Sequence, residues 1–443
     1  MKFHIEQKNK HTTKLLVKCE DEERYPHCQH GPTLLFYTKD KGPQEGFYSC
    51  AAYRDRKLCP YYLPVKDLKS NQLNRVYNNL SGEYRKLREK FWDETYQKGE
   101  QHYCLTCNVP LREADLQPHS GHNLLRSLRE SNINDPTTFL LPLDNDKGNA
   151  QYYFDLKALQ FFENCLRELK ISKVLCLGAP RLHGYLRNHC KTWLQSFLLD
   201  FDHRFFYFYD DDEFAWYNMC NNHFFDECQK REFLRFLKIQ SSQRLLLFTD
   251  PPFGCRTEPI GNTLREITKT FTRINYMPHQ PLPTFWVFPY YSEHYVQEES
   301  SAFEMCDYKI NYINHLSYTD NGHKSRKLGS PVRVFTNVPL ELLTLPIKEG
   351  YKYCSLCKRY TALENHHCNK CNKCPSKNGA TYRHCLHCCL CVKPYYIHCH
   401  QCGRCTQREN HNCAEYQAKQ RCWTCNKQGH TEHKCPLSKK KKQ

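Results

Sequence analysis

Residues 244–256 read RLLLFTDPPFGCR. An apolar run from Leu245 to Phe248 meets Thr249 and Asp250, then breaks at Pro251, Pro252, Phe253 and Gly254. A short apolar run bounded by breakers predicts a buried strand. Two readings of its end are open. The strand stops in a turn, or it delivers an acid, rigid backbone and a ring to a flat, polar, amine-bearing group. Proline fixes φ, so the second reading gives acceptors that stay aimed. The surrounding sequence has to decide.

Around this stretch, strand-like and helix-like runs alternate. FFENCLRELK and CQKREFLRFLK have helical spacing; SKVLCLGAP, RFFYFYDDDEF and PTFWVFPYY read as strands, and DYKINYINHL and SPVRVFTNVP as late ones. Such alternation predicts an α/β domain with a mostly parallel sheet and a ligand at the strands' carboxyl ends. Gly178, after the first strand, lets backbone approach that ligand. Its loop, Cys176, Leu177, Gly178, Ala179, Pro180 and Arg181, is the candidate cofactor cradle. Asp210, ending the expected second strand, is the candidate partner of ribose hydroxyls. Asn222 and His223 are candidates for a cofactor base.

The 443 residues leave room for two to four domains, and the formal charge of +17 favours a polyanionic partner. The 30 tyrosines and 25 phenylalanines suit packing first and stacking on single-stranded bases second. No apolar run reaches membrane-helix length. The N-terminal residues are polar, without a signal-peptide core. A soluble, intracellular chain is expected, with no membrane partner and nothing that asks for more than a monomer.

There are 29 cysteines, many in C-x2-C pairs near histidines, which reads as zinc in a reducing compartment. The first cluster is Cys28, His30, Cys50 and Cys59. Its C-x-H-G and GP-x-x-G-FY-x-C pattern resembles the GRF-type zinc finger, which implies contact with single-stranded nucleic acid. The second, Cys104, Cys107, His119 and His122, resembles a C2H2 finger with a short histidine gap and reads as a structural staple.

The third block opens with Cys354, Cys357, His367, Cys368 and Cys371, continues through Cys374, and repeats H-C-x2-C at His384, Cys385 and Cys388 and again at His398, Cys399 and Cys402. It resembles the DHHC cysteine-rich module. Palmitoyl transfer does not follow, because the tetrad reads Asn365, His366, His367, Cys368, and no membrane helices are present to deliver an acyl chain. Two or three structural zincs are expected here, with the pairing open. The last cluster, Cys422, Cys425, His430 and Cys435, has the C-x2-C-x4-H-x4-C spacing of a zinc knuckle, a binder of single-stranded RNA or DNA. About five to six zinc sites are expected in all.

With these motifs in place, the DPPF strand resembles that of class I S-adenosylmethionine-dependent amino-methyltransferases. The resemblance implies a Rossmann-like domain with a seven-stranded sheet, flanked by zinc-finger modules. It implies that Asp250 and the carbonyl of Pro251 accept the target amine's hydrogens, that Pro252 holds the turn, and that Phe253 stacks on the base. The QYYFDLKALQFF segment resembles the aromatic stretch that closes over the cofactor, giving Gln151, Tyr153 and Phe154.

The order of modules, from Cys28 to Cys435, resembles the zinc-finger ribosomal RNA adenine-N6 methyltransferases. That implies large-subunit ribosomal RNA as substrate, ribosome-assembly or RNA helicase proteins as partners, and a nuclear and nucleolar location with the cytoplasm as a second place. The expected divisions are 1–70, 71–130, 131–347, 348–415 and 416–443. Two rivals remain. One is a DPPF-type protein-lysine methyltransferase, disfavoured by the basic charge and the knuckle. The other is a non-catalytic RNA-binding adaptor, disfavoured by the intact Asp250-Pro251-Pro252-Phe253.

Overall fold

A computed structural model describes residues 15–18, 25–38, 40–53, 55–68, 80–92, 101–143, 151–315, 318, 329–407 and 411–414. The chain divides into two compact units, Met1–Leu343 and Thr344–Gln443. The knuckle ligands Cys422, Cys425, His430 and Cys435 lie outside the described residues. No helix among the described residues is long and apolar enough to cross a membrane.

The first unit is organised by one mixed sheet. Its strands, in chain order, are β1 (Lys173–Leu177), β2 (Gln195–Asp200), β3 (Phe214–Asn218), β4 (His223–Phe224), β5 (Leu245–Thr249), β6 (Thr284–Pro289), β7 (Glu304–Cys306) and β8 (Val332–Thr336). Their spatial order is β4-β3-β2-β1-β5-β6-β8-β7. From β3 through β6 the neighbours are parallel; β8 runs antiparallel to both β6 and β7. The central strands are buried on both faces, which is why β1 and β5 read as unbroken apolar runs rather than alternating ones.

Helices connect these strands. In α1 (Leu156–Glu168) the Asp155 carboxylate caps the first turn, accepting from Ala158 N at 2.8 Å. The helix buries Ala158, Leu159, Phe161, Phe162, Cys165 and Leu166, a stripe at helical spacing. Pro180 starts α2 (Pro180–His189), where its missing N–H costs nothing. The helices α3 (Glu227–Leu237) and α4 (Thr257–Ile274) follow β4 and β5. Phe233, Phe236, Ile260, Leu264 and Ile267 from these two helices join Leu175, Leu247 and Trp286 of the sheet in the main core.

Three expectations change. The sheet has eight strands, not seven. The extra one, β4, is a two-residue return that pairs antiparallel with the edge strand β3. The segment RFFYFYDDDEF is not the second strand. His203–Tyr207 is a 3-10 helix, begun by Asp202, whose carboxylate accepts from Arg204 N at 3.0 Å. Its residues Arg204 to Tyr207 are all buried. A continuous apolar run carries no periodicity to separate strand from helix, so burial hid the difference. The strands are Gln195–Asp200 before it and Phe214–Asn218 after it. Finally, DYKINYINHL follows the strand Glu304–Cys306 rather than forming it. Within it, Tyr312 makes an isolated antiparallel bridge to Phe154.

Ahead of the sheet, the same unit carries two small β modules. One is a four-stranded antiparallel sheet of Leu15–Lys18, Leu34–Thr38, Phe47–Ser49 and Tyr62–Pro64, with a hairpin at His27–Cys28 and Gly31–Pro32. The other has three strands, Gln101–Cys104, Val109–Arg112 and Leu124–Leu125. Among its described residues the second unit holds three β-hairpins with little apolar core: Tyr351–Cys354 with Arg359–Ala362, Arg383–Cys385 with Leu390–Val392, and Ile397–Cys399 with Arg404–Thr406.

Candidate active site and metal centres

Strand order reverses between β1 and β5, and the crevice outside their carboxyl ends is where such sheets bind ligands. Leu177 and Thr249 are partners in register, so Gly178 and Asp250 leave the sheet side by side. Asp250 N donates to Leu177 O at 3.1 Å, and Gly178 N to Leu199 O at 2.8 Å. Gly178 has φ +63, and a Cβ there would stand 2.3 Å from Met219 Cε. The positive φ therefore favours glycine here, while the Met219 methyl is a flexible end that can move aside.

A cavity opens at this point. It is lined by Gly178 and Pro180 after β1, Asp200 and Phe201 at the end of β2, Asn218 to Cys220 at the end of β3, and Asp250 to Phe253 after β5. Gln151, Tyr152, Tyr153 and Tyr312 close another side.

Tyr312 reaches the cavity because residues 153–155 pair with residues 311–313: Ile313 N donates to Tyr153 O at 2.8 Å, and Asp155 N to Asn311 O at 3.1 Å. The Tyr312 hydroxyl donates to Asp250 Oδ1 at 3.0 Å. Burial pushes the Asp250 carboxyl well above the usual range, and that hydroxyl works in the opposite direction. Cys255 N takes the carbonyl of Pro252 at 2.8 Å, closing the turn. Phe253 faces Tyr152 at 6.4 Å in a stacked orientation and Tyr312 edge-on at 6.0 Å, so three rings meet on this side of the cavity.

The acid at the end of the second strand is Asp200, which sequence reading missed. Its Oδ1 accepts from Asp202 N at 2.9 Å. Burial pushes it up to about 7, against the N–H donors of Asp202 and Phe201. Asp210, the expected residue, lies elsewhere. It pairs with Arg88, while Asp211 and Asp226 hold Arg85, so the acidic run clasps the helix Leu80–Phe91. The signal for Asp200 was present in SFLLD, an apolar run ending in an acid like the one before Asp250. The aromatic run that follows it was the louder pattern.

Other expected residues divide between cavity and core. Gln151 and Tyr153 line the cavity. Phe154 packs in the core against Phe162 and Tyr312. Cys176, Leu177 and Ala179 are buried, and Arg181 pairs with Asp135 at 2.7 Å. Asn222 accepts from the Tyr217 hydroxyl, and His223 stands against Gly31, so neither lines the cavity. Tyr312 was present in the sequence as part of an alternating Tyr308, Ile310, Tyr312 pattern, but nothing local tied it to Asp250.

The cysteines and histidines gather into compact groups: Cys28, His30, Cys50, Cys59; Cys104, Cys107, His119, His122; Cys354, Cys357, His367, Cys374; Cys368, Cys371, His384, Cys391; and Cys385, Cys388, His398, Cys405. A further set follows, with Cys399 Sγ 3.7 Å from Cys413 Sγ and Cys402 Sγ 3.3 Å from His411 Nε2. A tetrahedral zinc with Zn–S of about 2.3 Å has S···S edges near ~3.8 Å. Cys357 to Cys374, Cys388 to Cys405 and Cys371 to Cys391 are 3.7, 3.7 and 3.6 Å apart. The donor sets therefore fit zinc.

The DHHC-like block thus holds four groups where two or three were expected. Cys368 and Cys371 leave the first group, and Cys374 completes it. Cys391, Cys405, His411 and Cys413 were not among the expected ligands, and His398, which opens the second H-C-x2-C repeat, joins Cys385 and Cys388 rather than Cys399 and Cys402. The groups interleave: each one's fourth ligand follows the next group's first C-x2-C in the first three groups. That is a tertiary arrangement that pair spacing does not reveal. Local geometry recurs as well. The residue after the second cysteine has positive φ at Asn108, Lys358, Asn372, Cys389 and Gly403. This left-handed residue turns the chain so that both thiols face one point. Asn365 is buried and accepts from Ser376 N at 2.8 Å, a structural post for the first of these groups.

Comparison with known proteins bears on the same residues. Residues 145–338 match the family model "Probable N6-adenine methyltransferase". The chain is 37% identical over 374 residues to the rRNA N(6)-adenosine-methyltransferase ZCCHC4 of Homo sapiens, covering 80% of this chain and 72% of that protein. The protein of the same name from Xenopus laevis is 36% identical over 370 residues, covering 80% of this chain and 75% of its own length. The Mus musculus protein of that name is 37% identical over 359 residues, covering 77% and 70%. With a cavity at the strand-order reversal, an acid and diproline at its floor, and this extent of identity, the chain belongs to the N6-adenine methyltransferase family.

Proposed function

We propose that this protein transfers a methyl group from S-adenosylmethionine to N6 of an adenosine in large-subunit ribosomal RNA. The observation that carries this reading is the placement of Asp250 with Pro251, Pro252 and Phe253 on one cavity wall beside Gly178, with Asp200 on the adjoining strand end. Support for the cofactor comes from a buried carboxyl at Asp200, suited to ribose hydroxyls, at the strand end beside Gly178. S-adenosylmethionine, when bound, supplies the electrophilic methyl group on a sulfonium.

The rest falls to the chain. Adenine N6 is a weak nucleophile because its lone pair is shared with the ring. The Asp250 carboxylate accepts one N6 hydrogen and the Pro251 carbonyl the other, returning electron density to nitrogen. Tyr312 holds Asp250 in its orientation and favours its charged form. Phe253 supports the base by stacking, and the pyrrolidine rings fix the turn. This is stabilisation by fixed acceptors and positioning, with no strong base required.

The zinc groups are read as holding small folds that lack a core of their own and as gathering RNA around the site. The divisions 1–70, 71–130, 131–347, 348–415 and 416–443 are part of this proposal, as are the class I description of the sheet domain, work as a monomer, assembly-factor or helicase partners, and a nuclear and nucleolar place of action. The test is methyl transfer from labelled S-adenosylmethionine to total RNA and total protein of cells lacking the chain. Label in N6-methyladenosine of large rRNA is expected, with Asp250→Ala abolishing it while zinc content and RNA affinity stay nearly intact. Label in lysine instead, or full turnover by Asp250→Ala, would overturn the reading.

A further inference from the structure

Two of the residues lining the cavity come from a zinc module. They are Ala52 and Tyr53, in the segment between Cys50 and Cys59 of the first zinc group. Tyr53 N donates to the Cys50 thiol sulfur at 3.4 Å, so its backbone is tied to a metal ligand. Its ring meets the ring of His30, another ligand of that group, at 4.7 Å edge-on, and Phe201 at 5.9 Å. Phe201 follows Asp200 and lines the same cavity.

The zinc module is also fastened from the other side. His30 O accepts from Asn218 Nδ2 at 2.9 Å and Asn221 Nδ2 at 3.1 Å, and Pro32 O from Asn221 Nδ2 at 2.7 Å. Asn218 itself lines the cavity, and its Oδ1 accepts from Cys220 N at 3.0 Å. Gly31, with φ +94, allows the module to lie against the His223 ring, where a Cβ would stand 2.5 Å from it. The zinc ligand His30 is therefore wedged between the cavity's β3 end and its Tyr53–Phe201 wall.

We propose that the first zinc group builds part of the cofactor pocket, with Tyr53 forming, together with Phe201, the wall beside the end of the cofactor that Asp200 holds. This rests on reading the cavity as the cofactor site. Zinc sets the position of Tyr53 through Cys50 and His30, and a bound cofactor holds Tyr53 in that same position. Two ligands that favour one arrangement strengthen each other's binding by the same factor. The zinc module is then a component of the enzyme's cofactor affinity, in addition to any contact with RNA.

The experiment uses the full chain loaded with zinc and S-adenosylhomocysteine as the probe, titrated by calorimetry. Tyr53→Ala weakens binding by about three- to tenfold, the size of one ring contact, with zinc content unchanged. Tyr53→Phe binds as the parent does. In the reciprocal measurement a chelator is added and alkylation of Cys50 and Cys59 is followed by peptide mass; saturating S-adenosylhomocysteine slows it. Asp200→Asn serves as the control for the cavity. If Asp200→Asn weakens binding but Tyr53→Ala does not, the zinc wall is refuted and the cofactor site stands. If the parent protein does not bind S-adenosylhomocysteine at all, the cofactor reading fails and this inference with it.

Discussion

Replacing Tyr312 by Phe removes a single oxygen and tests the electrostatics of the site directly. The ring is almost fully buried and packs against Phe154 at 5.2 Å and Phe253 at 6.0 Å, so phenylalanine keeps the packing. What is lost is the hydroxyl donor, 3.0 Å from Asp250 Oδ1. A hydrogen bond to a charged group contributes about 1.5–3 kcal/mol, or roughly 10- to 150-fold in rate at ~1.4 kcal/mol per decade.

The sign follows from which form of the acid is needed. Burial raises the Asp250 pKa, and the Tyr312 hydroxyl lowers it by favouring the carboxylate. Removing the hydroxyl leaves burial unopposed, so at a given pH less of the carboxylate is present. The expected result is a fall of about 10- to 150-fold in kcat/KM near neutral pH. The acid limb of the profile moves to higher pH, and much of the loss is recovered in alkali. Stability changes in the opposite sense. A carboxyl whose folded pKa is raised binds more protons folded than unfolded, so it costs stability as pH rises from the ordinary carboxylate range through the folded value. Asp250→Asn therefore raises the melting temperature in neutral and alkaline buffer, even as it removes activity. The assay is steady-state methylation of an rRNA fragment across pH, with melting curves in the same buffers. A uniform rate loss with an unmoved acid limb would refute the argument, because Tyr312 would then act only through shape.

Two further outcomes are expected. Asp200 is pushed up to about 7 by burial, and ribose hydroxyls favour its charged form. Affinity for S-adenosylhomocysteine should therefore fall as pH drops below about 7, with proton release on binding near that pH; Asp200→Asn flattens the profile, and calorimetry in buffers of different ionisation enthalpy measures both. Cys391→Ser removes the fourth donor of the group made by Cys368, Cys371 and His384. Because Cys374 of the preceding group and Cys385 and Cys388 of the following one are threaded through the same stretch, zinc stoichiometry should fall by at least one, and alkylation of those neighbouring cysteines should quicken; a loss confined to Cys368 and Cys371 would argue that the groups fold independently.

Much of this was written locally. The buried parallel strands announce themselves as apolar runs, because a strand covered on both faces has no polar side to alternate with. Asp250, Pro251, Pro252 and Phe253 are contiguous, so their chemistry is legible in one stretch. Each C-x2-C pair is legible too, since two ligands from one turn are a local event. The sequence alone therefore determined the α/β class, the strand end that carries the proposed catalytic residues, and the Cys/His-rich character of the chain's flanks.

The tertiary structure decided how distant pieces meet. Asp200 replaced Asp210 because a fully buried aromatic run has no period, and only packing shows that it is a 3-10 helix. Tyr312 meets Asp250 across sixty residues through the pairing of residues 153–155 with 311–313. The interleaving of the DHHC-like groups assigns Cys374 and Cys391 to ligand sets that spacing left open. Tyr53 lies in a zinc loop whose sequence carries no sign of a cofactor, and it lines the cavity only because Asn218 and Asn221 fasten His30 to the end of β3. Local chemistry is encoded in neighbouring residues; which of them share a cavity depends on long-range hydrogen bonds and burial that the chain acquires only when folded.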